Sequence, residues 1–285
     1  MNPIGIFAKT FPRLTPEGNL DAVRTHGLSV VQYNLACAGL PSLPERIEPA
    51  VAQQIAAAAA SRRIAIAAVS GTFNMIDPIR ERRDTGMRRL GQLAGACALL
   101  GTKIITLCTG TRDPDDMWRR HPANGRPDAW ADLMAAMEQA LIIAEEHDLL
   151  LAVEPETANV VDSATKARQL LDELRSPRLK IIIDPANLFD TENLRQQRTI
   201  LDVAFDLLGS DMVLAHAKDV RVVDGALHHV AAGTGVLDYR HYVTLLRHIP
   251  VPLIVHGLAE AEVDRALAFL RWALAVVQQA PTEVC

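Results

Sequence analysis

Short apolar runs rich in Ile and Val alternate along this chain with longer stretches in which apolar residues recur at helical spacing. The runs Ile4–Phe7, Ser29–Tyr33, Ile64–Val69, Lys103–Leu107, Leu150–Val153, Lys180–Ile183, Met212–Ala215 and Leu253–Val255 have the length and composition of strands. Between them, Leu20–His26, Pro44–Ser61, Ile79–Leu100, Asp128–His147, Ala164–Leu174, Thr199–Leu208, Tyr239–His248 and Ala261–Gln278 are predicted helices. Asn19 and Ser163 stand where N-caps are expected. A run such as Ile181-Ile182-Ile183 suits a parallel sheet covered by helices on both faces. Eight strand–helix units predict a single (β/α)8 TIM barrel over residues 1–285, a fold that typically takes ~250 residues. A doubly wound open sheet is the rival, but it usually carries a Gly-rich turn after its first strand, and here that turn reads Ala8-Lys9-Thr10-Phe11. The stretch from Cys108 to Pro127 shows neither period and is expected to be a lid or binding loop.

Composition narrows the function classes. Of 285 residues, 49% are hydrophobic, 22% charged and 4% aromatic, an ordinary globular balance. The net charge of −5, from 29 basic and 34 acidic residues, argues against a dedicated nucleic-acid binder. No segment reaches the ~18 uninterrupted apolar residues of a membrane span, and the longest apolar helix, Ala266 to Val277, is broken by Arg271. The opening Met1-Asn2-Pro3-Ile4 lacks the basic and apolar regions of a secretory leader. Cys37, Cys97, Cys108 and Cys285 form no CxxC pair and read as reduced thiols, so a cytoplasmic location is expected.

The chemistry is concentrated where strands end. Barrel enzymes place reactive groups at the C-terminal ends of their strands. Here the last four strands are followed by Glu154 (in Glu154-Pro155-Glu156), Asp184 (in Asp184-Pro185-Ala186-Asn187), His216 (in His216-Ala217-Lys218-Asp219) and His256. One such residue is often a mere helix cap. Four on consecutive strands point to a divalent metal site, and two carboxylates with two imidazoles suit Mn²⁺, Zn²⁺, Co²⁺ or Fe²⁺, the oxygen half also Mg²⁺.

Other residues carry two readings each. Glu156 either binds substrate hydroxyls or is a solvated rim carboxylate. Lys218 and Asp219 either form a surface ion pair or steer His216. Gly233-Thr234-Gly235 is a phosphate cradle or a plain turn. Arg112, Arg119, Arg120, His121 and Asn124 lie in the long loop and can close over a polyhydroxyl or anionic substrate. The run Arg80-Glu81-Arg82-Arg83-Asp84 reads as a solvated helix face. His228 and His229 are expected in an exposed turn, and Trp118 and Trp130 flank the long loop, where a sugar ring can stack or the loop can pack.

These motifs, with Gly-x-Gly-x-x-Asp at Gly233 to Asp238, resemble the sugar phosphate isomerase/epimerase group of xylose isomerase-like TIM barrels, which includes endonuclease IV-type proteins. The resemblance covers nearly the whole chain. It implies a divalent ion held by Glu154, Asp184, His216 and His256, although ketose epimerases of the group have Glu at the fourth position. Their second glutamate shares the proton transfer, so its replacement by His256 leaves the reaction type open. Asn187 stands where those epimerases have a substrate-binding His.

Moving a proton beside a sugar carbonyl needs a Lewis acid and a carboxylate base, and Glu154 is the candidate base. Aldose–ketose isomerisation proceeds with one base on one face, whereas epimerisation needs two groups on opposite faces. The expected function is therefore a metal-dependent (Mn²⁺, Mg²⁺, Co²⁺ or Zn²⁺) isomerase or epimerase of a sugar or sugar phosphate, with Glu156, Asn187, Lys218, His121 and Arg112 as substrate contacts. A hydrolase or lyase on the same barrel, such as a phosphodiesterase or polyol dehydratase, is the alternative. A non-catalytic sugar-binding barrel is a third, which the retained Glu154 disfavours. The expected partner is a small sugar, with no nucleic acid and no membrane, and a homo-oligomer fits equally.

Overall fold

A computed structural model describes residues 2–279, so Cys285 lies outside the described residues. The strands are β1 (Ile4–Phe7), β2 (Val30–Tyr33), β3 (Ala65–Ser70), β4 (Ile104–Leu107) and β5 (Leu150–Val153), then β6 (Leu179–Ile183), β7 (Met212–Ala217), β8 (Asp219–Val223), β9 (Ala226–Val230) and β10 (Leu253–Val255). All but β8 and β9 pair in parallel and close in the order β1-β10-β7-β6-β5-β4-β3-β2. This is the (β/α)8 barrel that the periodicity predicts. The covering helices are α1 (Pro16–Thr25), α2 (Pro49–Ser61), α3 (Arg80–Leu100), α4 (Pro127–Glu146), α5 (Ala164–Leu174), α6 (Gln197–Leu208), α7 (Tyr239–Leu246) and α8 (Val263–Gln279). None is long and apolar enough to cross a membrane.

Strand period two divides the core. Ala68, Ala152, Ile182, Leu214 and Ile254 make a small cluster of their own, one residue each from β3, β5, β6, β7 and β10. Their flanking residues, such as Ile181 and Ile183, join the larger core beneath the helices. Gly5 completes the tight interior, since a Cβ there would meet Ile254 Cδ1 at 2.6 Å and Val30 O at 2.8 Å.

Ser163 caps α5 as expected, accepting from Lys166 N. Asn19 is a correction: it lies inside α1, which Thr15 caps with Pro16 following. Its buried amide instead donates to Ala8 O and Phe11 O, both at 2.9 Å, fastening the turn after β1. Helix α2 starts at Pro49 rather than Pro44, because proline fits the first turn of a helix but not its interior. Strand β7 runs two residues further than its apolar run suggests, which places His216 inside the strand opposite Ile254.

The expected turn around His228 and His229 is instead an antiparallel hairpin of β8 and β9, with His229 opposite Val220. Its two-residue turn, Asp224-Gly225, has positive φ at both positions, 51° and 78°. Asp-Gly between apolar runs is the signal for such a turn. Cys37, Cys97 and Cys108 are free and buried.

Candidate metal centre

The inner cluster positions the site. Glu154, Asp184, His216 and His256 each stand two residues after Ala152, Ile182, Leu214 and Ile254, so the same pleat aims all of them into the barrel mouth. Adjacent strands then bring the four together, with one ligand atom from each lying within 4.8 Å of the others. His216 Nδ1 is 3.4 Å from Glu154 Oε1 and 3.7 Å from Asp184 Oδ2, and His256 Nε2 is 2.8 Å from Asp184 Oδ2. Donors about 2.0–2.2 Å from one ion stand at most about 4.4 Å apart, so these separations suit a shared cation.

A second observation supports the fit. His216 Nδ1 is buried and has no hydrogen-bond partner among the described residues, although it faces two carboxylates. The other ring nitrogen, Nε2, lies 2.8 Å from Gln32 Oε1. The residues therefore fit a divalent cation.

Burial and charge compete at every group here. Burial opposes ionisation of Asp184, yet Lys218, His216 and His256 hold its carboxyl well below the usual range. Burial likewise opposes Glu154, but His216 holds its carboxyl low. Burial alone would push His216 down, while Glu154 and Asp184 outweigh it and lift the imidazole to about 9. For His256, burial and then the neighbouring His216 push the imidazole down to about 4. Burial, with the Glu154 charge added, pushes the Glu156 carboxyl up to about 7.

The residues around the four divide into those drawn to the centre and those held elsewhere. Asn187 donates its amide to Glu154 Oε1 at 2.5 Å. Lys218 is buried with its ammonium 3.3 Å from Asp184 Oδ2, so it is no surface residue. Glu156 is partly buried and accepts from Asn159 Nδ2 at 3.1 Å. The long loop after β4 is fastened to this region, since Asn159 also accepts from Gly110 N and Asn124 donates to Ala158 O.

Arg112 and His121 form no hydrogen bond or ion pair with the four residues. The Arg112 guanidinium is bound to Asp132 Oδ2 at 2.6 Å, Ile76 O and Asp128 O. His121 Nδ1 accepts from Ala123 N as the cap of a short helix. Trp130 donates to Glu173, while Trp118 is exposed. Asp219 is not half of a surface ion pair either. It is buried, and its carboxylate accepts the backbone N–H groups of Gly233, Gly235 and Leu237 at 2.9 to 3.1 Å. The Gly233 and Gly235 donors of the turn are thus occupied by an internal anion, and Thr234 N donates to Ala231 O. A Cβ on Gly235 would lie 2.2 Å from Asp219 Oδ1, so the turn requires glycine there.

The sequence reading missed one group. Gln32, Ser70 and Thr106 are buried polar residues near the C-terminal ends of β2, β3 and β4. Gln32 Nε2 lies 3.3 Å from Ser70 Oγ and 3.4 Å from Thr106 Oγ1. The signal was a polar residue on the inward phase of an otherwise buried strand.

Among solved structures, a 3-keto-D-glucoside 4-epimerase from E. coli is 18% identical and covers 95% of this chain and 100% of its own, with a TM-score of 0.71. An L-ribulose 3-epimerase is 14% identical over 100% of both chains, with a TM-score of 0.75. A xylose isomerase-like TIM barrel protein from Mycobacterium smegmatis in complex with magnesium is 12% identical over 97% of this chain and 98% of its own, with a TM-score of 0.71. At such identities the likeness shows the fold. No curated protein sequence matches this chain. The family model described as xylose isomerase-like TIM barrel matches residues 20–272, and with this barrel, these strand ends and that match the chain belongs to the xylose isomerase-like TIM barrel family.

Proposed function

We propose that this chain is a divalent-metal-dependent isomerase or epimerase of a sugar or sugar phosphate, acting in the cytoplasm. The observation that carries the reading is the convergence of Glu154, Asp184, His216 and His256, with the unpartnered His216 Nδ1 among them. Those four residues would hold a divalent cation, which when bound would supply Lewis acidity toward the negative charge that develops on the substrate oxygens.

The chain's own residues do the rest. Glu154 takes the proton from the carbon beside the carbonyl, with its carboxylate held by Asn187. The buried Lys218 ammonium keeps positive charge beside Asp184 as the substrate becomes anionic. Glu156, poised at about 7, exchanges a hydrogen bond or a proton with a substrate hydroxyl. One base on one face suffices for aldose–ketose isomerisation. Epimerisation would require a second group on the opposite face.

One observation favours a second reading, a lyase that removes water from a polyol. Glu156, whose carboxyl is pushed up to about 7 by burial and the Glu154 charge, suits a general acid for a departing hydroxyl. The deciding experiment incubates the metal-loaded protein with a panel of aldoses, ketoses and their phosphates in deuterated water. Deuterium at the carbon beside the carbonyl, with a rearranged sugar as product, is the expected result. Loss of water from the substrate selects the lyase, and neither outcome across the panel overturns both readings.

A further inference from the structure

Gln32 is buried on β2, and its side chain reaches across the barrel to His216 on β7. A neutral imidazole carries one proton, so the nitrogen that donates outward decides what the other presents. With Gln32 Oε1 as the acceptor 2.8 Å from Nε2, the ring proton belongs on Nε2 and the lone pair on Nδ1. Nδ1 is the atom that faces Glu154 and Asp184 without a hydrogen-bond partner. The opposite arrangement would place a proton on Nδ1, aimed at the space between the carboxylates, and would exclude a cation from that nitrogen.

The barrel wall keeps the amide in place. Ser70 pairs directly with Thr106 in the β3–β4 register, and both hydroxyls lie within 3.4 Å of Gln32 Nε2. The carboxamide is therefore anchored to two neighbouring strands while its oxygen points across the lumen.

We propose that Gln32 is a positioning residue that fixes His216 as the Nε2–H tautomer, so that His216 binds the cation through Nδ1. This rests on the cation site proposed above and names the atom through which one ligand acts. Metal-bound imidazoles generally donate their second nitrogen to a partner that sets the tautomer, and here that partner is a neutral amide from the far wall of the barrel.

The test reads the imidazole ring itself. Isotope-labelled histidine and long-range proton–nitrogen correlations report which nitrogen of His216 carries the proton, and loss of the signal in His216→Gln identifies it. Spectra are taken without metal at about pH 10, where an imidazole is neutral, and again with Zn²⁺. Nε2–H is expected with Zn²⁺ bound, and without metal a larger Nε2–H fraction in the parent than in Gln32→Met; Nδ1–H with Zn²⁺ bound overturns the proposal. Gln32→Met removes the acceptor at similar volume, whereas Gln32→Glu keeps it. Gln32→Met is expected to populate the Nδ1–H form and to raise the Kd for Mn²⁺ by about 10- to 100-fold. Gln32→Glu is expected to retain the Nε2–H form and bind Mn²⁺ at least as tightly as the parent. An unchanged tautomer and Kd in Gln32→Met overturn the assignment. If Gln32→Met fails to fold, the parent and Gln32→Glu spectra decide. A parent protein that binds neither Mn²⁺ nor Zn²⁺ overturns the cation site, while the metal-free spectrum still tests Gln32 separately.

Discussion

Asn187 donates its amide to Glu154 Oε1 at 2.5 Å, joining the turn after β6 to the candidate base after β5. A hydrogen bond to a charged group contributes about 1.5–3 kcal/mol, so its loss is worth about 10- to 100-fold in rate if the bond orients the base. Asn187→Leu is expected to lower kcat on that scale with metal content unchanged, as measured by steady-state kinetics and metal analysis. Loss of metal together with activity would show instead that Asn187 maintains the cation site.

Glu154→Gln keeps a coordinating oxygen but cannot accept a proton at neutral pH. Metal is expected to remain while turnover falls by at least ~10²-fold, the lower range for removing a general base. Near-parental turnover would transfer the role to another group, with Glu156 first in line.

His256, like Asn187, is a position where the sequence departs from the ketose-epimerase pattern it resembles. Its ring stands 2.8 Å from Asp184 Oδ2, its centroid 4.4 Å from that of His216. His256→Ala is expected to weaken Mn²⁺ binding by about 10- to 100-fold in calorimetric titration. His256→Glu restores an anionic ligand and a second proton-transfer group, and is expected to bind metal. If His256→Ala binds metal like the parent and loses only turnover, His256 serves the substrate and three ligands remain.

The Asp219 cradle gives a stability prediction distinct from chemistry. Its carboxylate accepts backbone N–H groups from Val220, Gly233, Gly235 and Leu237, and all four lose their acceptor in Asp219→Ala. A buried donor left unsatisfied costs about 1–3 kcal/mol, and local rearrangement will recover part of the sum, so a loss of about 3 kcal/mol is expected in urea unfolding. A change below about 0.5 kcal/mol, the scale of a surface substitution, would remove Asp219 as the anchor.

Asp211 links α5 and β6, with Lys180 Nζ at 2.9 Å and Arg168 Nη1 at 3.1 Å. Burial works against its ionisation, but those two cations outweigh it and hold the carboxyl below its usual range. A carboxyl depressed in the folded state adds stability above its unfolded pKa, and that stability is lost as pH falls through the folded value. Asp211→Asn is therefore expected to be less stable than the parent at neutral pH, with the gap closing in acid. An equal gap at both ends of the urea–pH series would mean that the charge is not the stabilising feature.

Much of this molecule was fixed by local pattern. Runs such as Ile181-Ile182-Ile183 and the helical periods between them specify eight strand–helix units, because a parallel strand buried on both faces is apolar at most of its positions. The four chemical residues were legible for the same reason: a Glu, Asp or His at the end of such a run breaks the pattern where barrel sites are built. Other features depended on partners distant in sequence. Gln32 and His216 are 184 positions apart, and nothing near either one indicates that they meet across the lumen. The Gly233–Gly235 turn offers N–H groups to any anion, and only the folded chain shows that Asp219 occupies them. Arg112 looks available from its loop, but Asp132 on α4 holds its guanidinium. Periodicity reports which face of an element is buried, and each of these outcomes turned on which polar group fills that buried space, which closure of the barrel decides.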